Sequence, residues 1–75
     1  MEAKKKKEIL RKLGQRLSLI RTKKGLSLRD LAARCDVDAS DIQKYERGLV
    51  NPTVATLVDL AFGLEVNPKE LLDFD

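Results

Sequence analysis

Residues 38–48, DASDIQKYERG, hold the most suggestive chemistry in the chain. Hydroxyl, amide and cationic side chains follow one another there, as in a helix made to enter the major groove of DNA. Yet Asp38, Asp41 and Glu46 stand in the same stretch, and a duplex presents two rows of negative phosphate. Either those acids have duties inside the protein, or the stretch does not meet a polyanion.

Other chemistry is scarce. The chain has no His, one Cys and no Gly-rich phosphate loop, so it offers neither a metal cluster nor the usual catalytic constellations. No enzyme activity, metal or cofactor is expected. Cys35 has no second Cys to pair with, and no stretch approaches the roughly 20 apolar residues that span a bilayer. A cytoplasmic protein without membrane contact is expected.

Charge is unevenly placed. Residues 1–24 carry ten Lys/Arg against two acids, whereas residues 25–75 carry five against ten. The net charge of +3 therefore hides a basic leading segment of the kind that meets polyanions.

These residues need elements to position them, and punctuation divides the 75 residues into five short helices with no strand pattern. The first spans about 5–24, with Ile9, Leu13, Leu17 and Ile20 on one face and Gly25 as its left-handed stop. Ser27 and Asp30 form a capping box for the second, which bears Leu28, Leu31, Ala32 and Cys35. Asp38 is placed to cap the third, which ends at Gly48. Thr53 caps a fourth bearing Val54, Leu57, Leu60, Ala61 and Leu64. Asn67, Pro68 and Glu70 open a fifth. Residues 1–12 form a basic leader merging into the first helix, residues 13–72 the domain, and residues 73–75 a tail.

Two short helices joined by a tight turn, with Leu31, Ala32, Val37 and Ile42 facing inward, make a helix-turn-helix over residues 26–48. Ala32 marks an expected close crossing of the pair. At this point the chain resembles the Cro/phage-repressor-like, xenobiotic-response-element-type helix-turn-helix domains. The likeness is carried in order by LGQRL, KKGLS, DLA, DIQKYERG, NPT and LEVNPKELL. It implies an all-α, compact five-helix lambda-repressor-like domain with the helix-turn-helix in helices 2 and 3.

The resemblance further implies that residues 38–47 form the recognition helix. Ala39, Ser40, Gln43 and Lys44 would face base edges, Gln toward adenine and Lys toward guanine. Ser27, Arg29, Arg47, Asn51 and Thr53 would meet the sugar-phosphate backbone. Lys4, Lys5, Lys6 and Lys7 would form either a salt-sensitive arm on the duplex, like the flexible basic arms of some phage repressors, or a disordered solubilising tail. Glu46 would pair with Arg21, pinning two helices together. Three departures stand out: Leu28 replaces a phosphate-touching Gln of many members, and Asp36 and Glu65 replace turn glycines.

The acids can thus be given local work: Asp38 as a cap, Asp41 as its reply three residues on, Glu46 in the pair. Asp41 could alternatively accept from a cytosine amino group. Cys35 and Tyr45 are expected to pack rather than to react or read bases. Val66, Leu71, Leu72 and Phe74 exceed what a small core absorbs and mark an expected dimer surface. The expected partners are double-stranded DNA and a second copy of the chain, which together read a palindrome. The competing expectation is a protein-interaction module, such as an antitoxin or adaptor that binds a toxin and reads DNA weakly or not at all.

Overall fold

A computed structural model describes residues 1–75. Four α-helices are present, α1 (Ala3–Lys23), α2 (Leu28–Ala32), α3 (Ala39–Glu46) and α4 (Val54–Leu64), followed by a 3-10 helix, Pro68–Leu72. The fifth expected α-helix is thus a 3-10 turn. Five residues beginning with proline are too few to nucleate an α-helix, and the Glu70 amide bonds the Asn67 carbonyl three residues back. Asn67 caps this turn by accepting from the Lys69 amide at 3.1 Å, but Glu70 does not return the bond.

Leu13, Leu17, Ile20, Leu26, Leu31, Ile42, Leu60, Ala61, Leu64 and Leu71 are the buried core. Every element contributes to it, and α1 lies against both α3 and the 3-10 helix. Arg16 fastens that last contact: its Nε donates to the Glu70 carbonyl at 2.8 Å. The α2 helix ends at Ala32, short of Cys35. Cys35 is half-buried against the core, its thiol donates to the Leu31 carbonyl at 3.3 Å, and burial pushes its pKa up.

Ser27 and Asp30 cap α2 reciprocally, at 2.9 and 3.0 Å. Bonds first from the Ser27 amide, then from its hydroxyl, hold the Asp30 carboxyl below its usual range. This support is present at neutral pH and lost on acidification, as Asp30 takes up a proton.

Helices α1, α3 and α4 stop in one way. A residue with positive φ follows each, and the next amide reaches back into the last turn: Leu26 to Arg21, Leu49 to Lys44, Val66 to Ala61. Gly25 and Gly48 fill the left-handed position in the first two, at φ 71° each, but Glu65 fills the third at φ 58°. Asp36, the other departure, has no positive φ; its amide instead donates to the Asp59 carboxylate at 2.8 Å. A left-handed side chain costs about 1–2 kcal/mol, partly offset by the smaller unfolded-state entropy of a non-glycine residue. Glu65→Gly should therefore raise stability by roughly 0.5–1 kcal/mol, a gain of a few degrees in a thermal melt. An unchanged or lower midpoint would contradict that account of the turn.

Candidate nucleic-acid interface

The α3 helix owes its orientation to the side it buries. Ile42 is fully buried, and Tyr45 and Glu46 are half-buried behind it. Gly14 of α1 lies directly against the C-terminal turn of α3: a Cβ there would come 2.3 Å from the Glu46 carbonyl oxygen and 2.5 Å from that of Tyr45. Only glycine permits this approach of backbone to backbone.

Seven residues along α1, the guanidinium of Arg21 reaches the same end of α3. Its Nε donates to Glu46 Oε2 at 2.6 Å, Nη2 to Oε1 at 2.9 Å, and Nη1 to the Leu26 carbonyl at 2.8 Å. The two side chains retain only 13% and 10% of their exposure. The bond to Glu46 holds the Arg21 pKa above its ordinary value. All of the glutamate's charge is met within the protein, and one guanidinium joins α1, α3 and the turn before α2.

With that side fixed, Ser40, Gln43, Lys44 and Arg47 are exposed at spacings of three, one and three residues, a single face of α3. Ala39 is half-buried at its edge. This face carries two donors that also accept and two cations, all free to meet an outside partner.

The other acids differ from expectation. Asp38 stands at the N-cap position, but its side chain makes no cap bond. The Asp41 amide, which a cap would satisfy, bonds instead to the Asp38 backbone carbonyl at 3.0 Å, leaving the carboxylate turned to solvent. Asp41 gives no answering bond and stays half-buried. Of the three acids only Glu46 is occupied internally; the other two flank the exposed face.

Among the residues expected at phosphate, Arg29, Arg47 and Asn51 are exposed. The hydroxyls of Ser27 and Thr53 are engaged locally: Ser27 accepts from the Asp30 amide, while Thr53 accepts from the Thr56 amide and donates to Thr56 Oγ1. The first two amides of α4, Val54 and Ala55, have no partner within the helix. Lys4, Lys5, Lys6 and Lys7 lie on the first turns of α1, and all are exposed. Leu28, the departure from glutamine, packs on the core.

The expected C-terminal dimer surface needs correction. Leu71 is fully buried in the core, and Val66 and Phe74 are half-buried against it. Leu72 alone is mostly exposed, at 55%. The large exposed apolar surface lies on α4, where Val54, Val58 and Phe62 recur every four residues at 77%, 48% and 74% exposure. The sequence groups Val54 with Leu57, Leu60, Ala61 and Leu64 as the apolar residues of this helix, but Val54 is exposed while Leu60, Ala61 and Leu64 are buried. Val-Ala-Thr-Leu-Val-Asp-Leu-Ala-Phe-Gly-Leu is apolar on nearly every side, so its periodicity does not say which side is buried. Gly14 was missed as well, whereas Ala32 is half-buried and packs on the core. Two further close approaches are made by glycines: Gly14 between α1 and α3, and Gly63, whose added Cβ would lie 3.0 Å from Leu31 of α2.

Comparison with known proteins matches residues 12–74 to a helix-turn-helix domain family. The HTH-type transcriptional regulator DdrOP3 of Deinococcus deserti is 34% identical over 62 residues, 83% of this chain and 48% of that protein. The chain thus spans about half the length of that relative. Control protein C.BamHI of Bacillus amyloliquefaciens is 37% identical over 62 residues, covering 81% of this chain and 76% of that one. The crystal structure of the restriction-modification controller protein C.AhdI from Aeromonas hydrophila shares the fold, with TM-score 0.81 and 42% identity over 83% of this chain and 94% of that chain.

Proposed function

The chain belongs to the helix-turn-helix domain family of non-enzymatic, DNA-binding transcription regulators, and from that premise we propose that it is a sequence-specific regulator working as a homodimer on an inverted repeat. The observation that carries the reading is the exposed Ser40, Gln43, Lys44 face of an α3 helix pinned from behind by Arg21, Ile42 and the Gly14 contact.

In this reading α3 lies in the major groove. Gln43 bonds adenine, Lys44 bonds guanine, Ser40 takes either, and Ala39 offers a methyl contact to thymine. Arg29, Arg47 and Asn51 hold phosphates, joined by the free amides that open α4. Ser27 and Thr53 act chiefly by fixing the helix starts beside those contacts. One copy reads only a few base pairs. Two copies, meeting through the Val54, Val58, Phe62 stripe about a two-fold axis, would read half-sites ~34 Å apart. The likeness to two controller proteins supports a role of that kind.

Selection of bound sequences from a random duplex pool at moderate salt tests this. Recovery of an inverted repeat is expected; flat enrichment would contradict it. On the recovered site, Lys44→Ala should relax the preference at one base position by about 1–3 kcal/mol. An even loss across all sequences would instead make Lys44 a phosphate contact.

A second reading has specific observations in its favour. Asp38 and Asp41 stand without partners beside the candidate face, and the α4 stripe suits a protein partner. A protein-interaction module of the antitoxin or adaptor type would use that stripe and show no sequence enrichment.

A further inference from the structure

The α1 helix is longer than its packing requires. Its buried side chains begin at Leu13, yet the helix begins at Ala3, and residues 1–9 are all exposed. At 1.5 Å per residue, residues 3–9 project about 10 Å beyond the packed part. Lys4, Lys5, Lys6, Lys7 and Arg11 lie on or beside this projection, and no acid stands within ion-pair distance of any of them. Glu8 is turned to Lys12, at 3.7 Å.

The direction of the projection is fixed by its neighbours. The α1 backbone at Arg11 presses on Gly48, where a Cβ would come 2.9 Å from the Arg11 Cα. Lys6, Ile9 and Leu10 line one shallow depression with Asn51. The free turns of α1 therefore leave the body beside the loop that follows α3 and leads into the exposed start of α4. Apart from Met1, Ile9 is the projection's one large exposed apolar side chain, which leaves no apolar face to insert into a lipid surface. Cationic all round and continuous with the candidate interface, it fits a phosphate backbone.

We propose that the first turns of α1 form a rigid basic spar that grips phosphates of the duplex outside the base pairs read by α3. This rests on the DNA-binding reading above. From Lys4 to Arg11 the helix spans about 10 Å, enough for roughly two phosphates along some three base pairs of flank. A spar of this kind depends on its helix as well as on its charge, whereas a flexible basic tail depends on charge alone.

The test uses the full chain and the operator recovered by selection, either with long flanks or trimmed to its two half-sites, with affinity read by fluorescence anisotropy across salt concentrations. The parent should bind the flanked duplex roughly a hundredfold more tightly, in keeping with about four extra phosphate contacts, two from each copy of the dimer. Exchanging Lys4, Lys5, Lys6 and Lys7 for Gln should erase that preference and lower the log–log salt slope of the dimer by about 3–4. Glu8→Pro keeps every cation but breaks the projection, since proline clashes with the carbonyl four residues back while remaining tolerated at a helix start; it should erase the preference too. Glu8→Ala should keep it. Equal affinity of the parent for both duplexes would overturn the proposal, as would a Glu8→Pro chain that retained the flank preference. Failure to bind any duplex would bring down the DNA-binding reading itself, an outcome distinct from specific binding without a flank effect.

Discussion

Gly14→Ala should lower the thermal midpoint of this domain by about 10–20 °C. On an ordinary exposed helix the change would stabilise by about 1 kcal/mol, because alanine is the better helix former. Here the new methyl would sit 2.3 and 2.5 Å from two backbone carbonyl oxygens of α3, and neither can rotate away as a side-chain tip would. The helices must part by about 1 Å, the difference between those distances and ordinary van der Waals contact. Overpacking of this kind costs about 1–3 kcal/mol and occasionally more. Separation also strains the Arg21–Glu46 bonds, which join the same two helices. A net loss of about 2–3 kcal/mol is a large share of the roughly 4–11 kcal/mol expected of a domain this size, and each kcal/mol moves the midpoint by about 4–8 °C. Circular dichroism melts of parent and variant check this. A Gly14→Ala chain as stable as the parent would show that α1 and α3 do not touch at backbone level.

Arg21→Ala should cost a further large amount by a different route, about 3–5 kcal/mol. Removing the guanidinium strands the Glu46 carboxylate, only 10% exposed, and leaves the Leu26 carbonyl without its donor. The loss measures the penalty of an uncompensated charge more than the net worth of the pair. Arg21→Met combined with Glu46→Leu should therefore recover much of the stability, since apolar side chains of similar volume fill the space without a charge to desolvate. Arg29→Ala removes an exposed guanidinium that makes no bond within the protein and should stay within about 0.5 kcal/mol of the parent. Urea midpoints of the variants separate the cases. Equal values for Arg21→Ala and Arg29→Ala would remove the pair as a fastening of α3. Because Gly14 and Arg21 secure the same helix pair, their double variant should lose less than the sum of the two.

What the sequence shows clearly is what short-range chemistry decides. Ser27 with Asp30, Thr53 before its helix, and Gly25 and Gly48 after theirs are rules of local spacing, and the chain obeys them. Asp38 shows where such rules end: its position is that of a cap, but the backbone carbonyl took the amide and left the side chain free. Gly14 was illegible because a lone glycine in a helical run reads as a weakness, with no sign that the Tyr45 and Glu46 carbonyls lie across from it. Leu71 and Leu72 are neighbours of one residue type, and only the phase of the 3-10 turn sends one to the core and the other to solvent. The candidate site was read from the resemblance rather than from periodicity, which gives α3 an apolar side but does not say what the opposite side meets.

The central claim is that the Ser40, Gln43, Lys44 face of α3 enters the groove of a duplex. Nuclear magnetic resonance titration of the labelled chain with its selected operator tests it most directly. The largest amide and side-chain shifts should fall on residues 39–47, with a second set at residues 51–55. Shifts confined to Val54, Val58 and Phe62, with Gln43 and Lys44 unmoved at saturating duplex, would contradict it.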